Sequence, residues 1–303
     1  MQRLSVLFAV LIACGNGAAS HSEGNAPRAC PAGTLGTSRV LEIGAQGGLE
    51  VGFKTYPRSL PLGDHEVVLT FDDGPDAATT PAVLDALAAQ CVKATFFLIG
   101  RNAQANPRIA RRELAEGHTI GHHSFSHPAI TLRRLSTAAA EADIDKGMKA
   151  DDLAAYGRAG PEPRVPFFRY PGFADTPEVN RWLAARNIAI FGADLWASDW
   201  QDMTPQVELA LIMARLERTK GGIVLLHDSR GQTAAMLPAF LAALKAQGFK
   251  IVHIVPGPGN ADTRPAPTGW TSETERIITE VFQREDGKAR RPGPTNRDLR
   301  GGT

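Results

Sequence analysis

Val67-Val68-Leu69-Thr70-Phe71-Asp72-Asp73-Gly74-Pro75 reads as an apolar, β-branched strand that runs into two adjacent carboxylates and stops at Gly-Pro. Adjacent carboxylates at one strand end repel unless a cation neutralises one of them and a second group holds the other. An Asp-Asp-Gly-Pro turn by itself is ordinary loop chemistry. The stretch gains meaning from what the chain pairs with it.

That partner is Gly117-His118-Thr119-Ile120-Gly121-His122-His123-Ser124-Phe125-Ser126-His127-Pro128, which gathers four of the chain's 8 histidines. His123 and His127 are four apart, a spacing that one helical turn brings to a single face. Two imidazoles and one carboxylate make a three-ligand site with open positions, the layout of a catalytic metal centre rather than a closed structural one. A polar loop of solvated histidines is the plain alternative, and Asp72-Asp73 upstream weighs against it.

Around these motifs short apolar runs alternate with amphipathic ones. Strands are predicted at 66–71, 94–99, 118–121, 167–170, 188–193, 223–226 and 250–254, and helices near 80–89, 107–116, 136–156, 177–186, 205–220 and 234–247. Gly117, Gly221 and Gly248 stand where helix C-caps belong. Seven such alternations argue for a parallel sheet covered by helices, and periodicity does not separate an open sheet from a barrel. Asp72, the His123 cluster, Arg169, residues 194–199 and His227 all fall at or just past the C-terminal ends of predicted strands. In β/α barrels that rim carries the chemistry.

The ends read differently. Arg3 precedes an apolar run at 4–13, too short to span a bilayer, so residues 1–19 are expected to be an export signal. Leu11-Ile12-Ala13-Cys14 offers a lipobox with Cys14 lipidated, whereas Gly17-Ala18-Ala19 offers ordinary signal-peptidase cleavage. Cys14 directly follows the apolar run, which favours the first. Export implies an oxidising compartment, where Cys30 and Cys91 are expected to be bridged. Residues 20–60 are read as linker and leader, 61–256 as the catalytic domain, and 257–303 as a Pro/Gly-rich, largely disordered tail with a short helix at 273–282. A formal net charge of +1 leaves no footprint for nucleic acid.

Five ordered blocks resemble the polysaccharide deacetylases, the family 4 carbohydrate esterases: Thr-Phe-Asp-Asp-Gly-Pro at Thr70, His-Ser-x-x-His at His123, Arg-x-Pro at Arg169, Asp-Trp at Asp199 and Leu-Leu-His-Asp at Leu225. The resemblance implies an α/β fold, a distorted, incomplete (β/α) barrel of about seven parallel strands. It implies a monomeric enzyme, exported to the periplasm or cell envelope, that removes N-acetyl groups from a glycan containing N-acetylglucosamine: chitooligosaccharide, peptidoglycan or an exported polysaccharide. Contact with a membrane would come only through a lipid on Cys14. The rival readings are a glycan-binding protein that has lost its chemistry, an O-acetyl xylan esterase, and a small-amide hydrolase.

Carried onto this chain, the family pattern makes Asp73, His123 and His127 the ligands of one divalent ion, zinc by donor type, with cobalt or nickel tolerated. Asp72 is then the general base, held by Arg169. The physical argument requires one free carboxylate without saying which. The backbone N–H of Gly172 is the expected oxyanion donor, His227 the general acid, and Leu226 the lining for the acetyl methyl, with Tyr170 and Trp196 beside the substrate. Phe125 and Phe173 are further aromatic candidates, whereas Trp200 is expected in the core. Three positions depart from the pattern. Trp196 stands where relatives commonly carry the Asp that orients the acid histidine, so Asp194 or, preferably, Asp199 takes that part. His122 replaces the usual Asn and is not expected to be a fourth ligand. Gly172 replaces a frequent Tyr.

Overall fold

The computed structural model describes residues 30–129 and 131–290; the 1–19 segment with Cys14 lies outside them, as do Arg291, Arg297 and Arg300. In chain order the strands are β1 (Thr37–Gly44), β2 (Leu49–Val51), β3 (Arg58–Ser59), β4 (Glu66–Asp72), β5 (Thr95–Leu98), β6 (Thr119–His122), β7 (Phe167–Phe168), β8 (Ala189–Phe191), β9 (Leu195–Trp196), β10 (Gly221–His227), β11 (Lys250–Gly257) and β12 (Arg264–Pro265). The helices are α1 (Thr80–Ala89), α2 (Gly100–Ala105), α3 (Pro107–Ala115), α4 (Thr137–Tyr156), α5 (Pro177–Ala185), α6 (Pro205–Thr219), α7 (Gly231–Ala246) and α8 (Glu273–Arg290).

β4 is the hub of a 10-stranded parallel sheet. It pairs along its length with β10, from Gly221↔Glu66 to His227↔Asp72, while its last residues pair with β5 and its first with β11. From β4 the pairing runs one way through β5, β6, β7 and β8, and the other way through β10 to β9. Among the described residues no pairing joins β8 to β9, so the seven-strand ring β4–β10 stays open there, a distorted and incomplete barrel. Asp194 sits beside the opening. Its buried carboxylate accepts from the Phe53 and Ile223 backbone N–H groups, each at 2.8 Å, and from Ser59 Oγ at 2.7 Å. Those donors would otherwise lose their partners where the strands diverge.

Side-chain alternation decides what faces the barrel interior. On β4, Val67, Leu69 and Phe71 pack outward into the core beneath α1 and α7, whereas Val68 packs inward with Phe97, Phe167, Phe191 and Ile223. Thr70 and Asp72 share the parity of Val68, so Asp72 closes the inward file at the C-terminal rim. Strands buried on both faces read as unbroken apolar runs, which is why seven of the ten were visible in the sequence.

Two segments differ from expectation. The stretch read as a leader supplies β1 and β2, paired in parallel with β11 and β8. Arg39 binds Glu66 through Nε at 2.8 Å and Nη2 at 2.7 Å, and a Cys30–Cys91 disulfide ties the preceding residues to the end of α1. The stretch read as a tail contributes β12, paired with β3, and the long helix α8, whose apolar face covers one side of the rim.

Candidate active site

The strand ends at the rim deliver their polar groups to one cleft of about 350 Å³. Asp72, the last residue of β4, is buried, and its Oδ1 accepts from Arg169 Nη1 at 2.7 Å. Arg169 follows β7 and is itself wholly buried. It also donates to Thr70 Oγ1 and to the Phe191 and Gly192 carbonyls, at 2.8, 3.1 and 2.9 Å, and stacks on Phe97 at 4.3 Å. A guanidinium fixed by four acceptors leaves Asp72 one orientation and a partner for its charge.

Asp73 turns the chain with φ 77°, and its carboxylate meets the same cleft as that of Asp72, whose Oδ2 lies 3.8 Å from His123 Nε2. Its Oδ1 lies 3.5 Å from His123 Nε2 and 3.4 Å from His127 Nε2. That oxygen is buried and has no hydrogen-bond partner, and the three donor atoms lie within 4.8 Å of one another. His123 Nδ1 lies 2.8 Å from the Arg169 carbonyl, which can only accept. The ring proton is therefore on Nδ1, and the Nε2 lone pair is free to face Asp73. Burial drives the His123 pKa down to about 4, keeping the imidazole in its ligating, neutral form. An orphaned carboxylate oxygen between two free imidazole nitrogens fits a divalent cation.

The two histidines do not meet on a helical turn. His123 follows β6, and the chain continues as a loop in which Ser124 and His127 have φ 63° and 44°. Asp143 of α4 holds this loop, its Oδ2 accepting from the Phe125 and Ser126 N–H groups, both at 3.2 Å. Gly147 lets the helix approach, since a Cβ there would lie 2.4 Å from the Ser124 carbonyl carbon. α2, absent from the sequence reading, secures the other ligand loop: Asn102 Nδ2 donates to the Asp73 carbonyl at 2.7 Å.

Across the cleft, His227 ends β10. Its Nδ1 lies 2.8 Å from Asp199 Oδ1, and its backbone N–H donates to Asp199 Oδ2 at 2.6 Å. Thr233 Oγ1 approaches Asp199 Oδ2 and Glu208 Oε1, each at 2.9 Å. Burial disfavours the imidazolium, but the Asp199 charge and hydrogen bond outweigh it and raise the His227 pKa to about 10. Asp199 thus occupies the orienting place, whereas Asp194 serves the backbone at the barrel opening.

Gly172, Tyr170 and Trp196 line the cleft. Gly172 has φ 59°, with only Thr131 Cγ2 near a hypothetical Cβ. The Tyr170 hydroxyl is anchored on Asn180 Oδ1 at 2.8 Å. Leu226 does not line it. The strand's alternation places Leu226 in the outer core and turns Leu225, two residues before His227, into the cleft against Trp196. Counting back by two from His227 would have found it. Trp200, expected in the core, is 39% exposed at the cleft edge, 5.5 Å from Trp196. Phe125 faces away, beneath Lys146. His122 pairs with Asp151 of α4 at 2.8 Å, and burial pushes both towards their neutral forms, His122 to about 3. It is turned away from the ligand set.

Three side chains able to hold a cation, flanked by an arginine-held carboxylate and a carboxylate-held imidazole, are a set suited to hydrolysis at a polarised carbonyl. The family described as polysaccharide deacetylase matches residues 60–188. The peptidoglycan-N-acetylglucosamine deacetylase PgdA of Listeria monocytogenes serotype 1/2a (strain 10403S) is 37% identical over 189 residues, 62% of this chain and 38% of that protein. A chitooligosaccharide deacetylase of Sinorhizobium fredii is 34% identical over 212 residues, 65% of this chain and 94% of that protein. The solved structure of a Bdellovibrio bacteriovorus peptidoglycan deacetylase superposes with a TM-score of 0.65 at 28% identity, covering 74% of this chain and 60% of that one. The chain belongs to the polysaccharide deacetylase family.

Proposed function

We propose that this protein is a zinc-dependent deacetylase that hydrolyses the N-acetyl groups of N-acetylglucosamine units in a glycan outside the cytoplasm. The observation that carries the reading is the orphaned Asp73 oxygen between His123 and His127, in the same cleft as the Asp72–Arg169 and His227–Asp199 pairs. Relatives that act on peptidoglycan and on chitooligosaccharide share N-acetylglucosamine as the acetylated unit, and both support the substrate class. The disulfide supports an oxidising compartment.

Bound by Asp73, His123 and His127, a divalent ion would supply Lewis-acid polarisation of the acyl carbonyl and a lowered pKa for a water. Asp72, held in place by Arg169, takes the proton of the attacking water. The backbone N–H of Gly172 is assigned to the oxygen on which negative charge develops. His227, protonated and aimed by Asp199, delivers a proton to the nitrogen as the C–N bond breaks, so acetate and a free amine leave together. Acetate release from tetra-N-acetylchitotetraose, measured before and after chelation and after restoring zinc, tests the reading. Acetate release that survives complete removal of metal would overturn it.

A further inference from the structure

α8 lies beyond the stretch that the family description matches, yet it forms one wall of the cleft. Thr274, Ile277, Ile278, Val281 and Phe282 recur at three- and four-residue steps and face the cleft, while Glu275, Arg276, Thr279 and Gln283 face outward. The helix is fastened at its start. The Thr274 N–H donates to the Lys54 carbonyl at 3.0 Å, Trp270 Nε1 to the Phe53 carbonyl at 2.6 Å, and Lys54 pairs with Glu273. Arg133 grips Glu275 through two bonds, at 3.0 and 2.8 Å. Lys54 also lies over the Trp196 ring at 4.6 Å, and its N–H binds the Ala193 carbonyl, so one residue joins helix and barrel rim.

The residue so positioned is Ile277. It packs, with Phe173, on the cluster of Ala193, Trp196 and Leu225. Leu225 lies two residues before His227 on the same strand face and is in register with Trp196. An amide placed with its nitrogen at His227 and its carbonyl oxygen at the Asp73–His123–His127 group must send its acyl carbon chain into apolar surroundings. The cluster that meets this need beside His227 is Trp196 and Leu225, against which Phe173 and, from α8, Ile277 pack at the cleft wall. We infer that Ile277 sets the length of the acyl group this site accepts, holding it to acetyl. The inference rests on the deacetylase reading and assigns specificity to a helix that the family match does not include.

The test compares kcat/KM on glucosamine tetrasaccharides carrying N-acetyl, N-propionyl or N-butyryl groups, for the full-length wild type, Ile277→Val and Ile277→Ala. One methylene misfitted in a closed apolar pocket is worth about tenfold or more. Wild type should therefore lose at least about tenfold from acetyl to butyryl, Ile277→Ala should recover about tenfold of that ratio, and Ile277→Val should fall between. Thermal midpoint and metal content report folding separately, and Ile277→Val carries the test should the alanine variant not fold. An acyl-length ratio unchanged in the folded variants, with wild type active on the acetyl substrate, overturns this inference alone. A metal-loaded wild type inactive on every acyl length overturns the deacetylase reading and this inference with it.

Discussion

Leu225 and Leu226 are adjacent on β10 and lie on opposite sides of the sheet, Leu225 against Trp196 in the cleft and Leu226 in the core with Leu237 and Phe240. Their alanine variants should separate accordingly. Leu226→Ala should cost about 2–5 kcal/mol of stability, the usual loss for a buried leucine, and leave kcat/KM of the folded fraction close to wild type. Leu225→Ala should lower kcat/KM on the acetylated substrate. Denaturant midpoints beside steady-state kinetics decide this, and equal kinetic losses in both would contradict the assignment.

The proposed metal and base roles are separable because Asp72 is held by Arg169 whereas the Asp73 Oδ1 has no hydrogen-bond partner. His127→Ala and Asp73→Ala should each lose stoichiometric metal, measured by elemental analysis, and activity with it. Asp72→Asn should keep the metal and lose about 10²–10⁴ in kcat, the range for a positioned proton-transfer group. An Asp72→Asn protein that bound no metal would move Asp72 into the ligand set.

How much of this was legible in the sequence follows from burial pattern. β4, β5 and β10 are apolar on both faces and announce themselves, and α1 begins beside Pro81 and ends at Ala89, where it was placed. β1 escaped because it is an edge strand whose outward residues, Ser38, Val40 and Glu42, alternate with half-buried ones and resemble a solvated leader. β9, Leu195–Trp196, follows Asp194 and precedes Ser198-Asp199, so no apolar run marks it. The His123–His127 spacing was real but its vehicle was not: positive φ at Ser124 and His127 is a tertiary consequence of docking against Gly147 and Asp143. α8 was underestimated because its apolar face matters only once the rim exists to receive it.

A pH-dependent stability term should come from His253, far from the ligand set. Thr119 Oγ1 gives its proton to the Ile254 carbonyl at 2.6 Å, so His253 Nε2, at 2.9 Å, must donate to Thr119. Burial, with His118 and Lys93 nearby, lowers the His253 pKa from 6.5 to about 4. Between those values the unfolded chain binds the extra proton. The neutral histidine's contribution is therefore complete above pH 6.5 and declines towards pH 4, by up to about 1.4 kcal/mol per unit. Denaturant titrations of chelated protein at pH 7.5 and 5 should show His253→Gln losing less stability on acidification than wild type. Parallel losses would refute the term.

The acid limb of the mechanism gives the sharpest pH signature. His227 must hold a proton to release the amine, and its pKa is raised to about 10 because the Asp199 charge and hydrogen bond outweigh burial. Asp199→Asn removes the opposing charge while keeping an oxygen to accept from Nδ1. The imidazolium then loses its support against burial, and the His227 pKa falls. The alkaline limb of the kcat/KM profile should move to lower pH, by about 1–3 units for loss of a contacting opposite charge. A substrate whose leaving group needs no proton, such as an aryl acetate, should show no such shift. If the alkaline limb of Asp199→Asn coincided with wild type on the amide, proton delivery would have to come from a group other than His227.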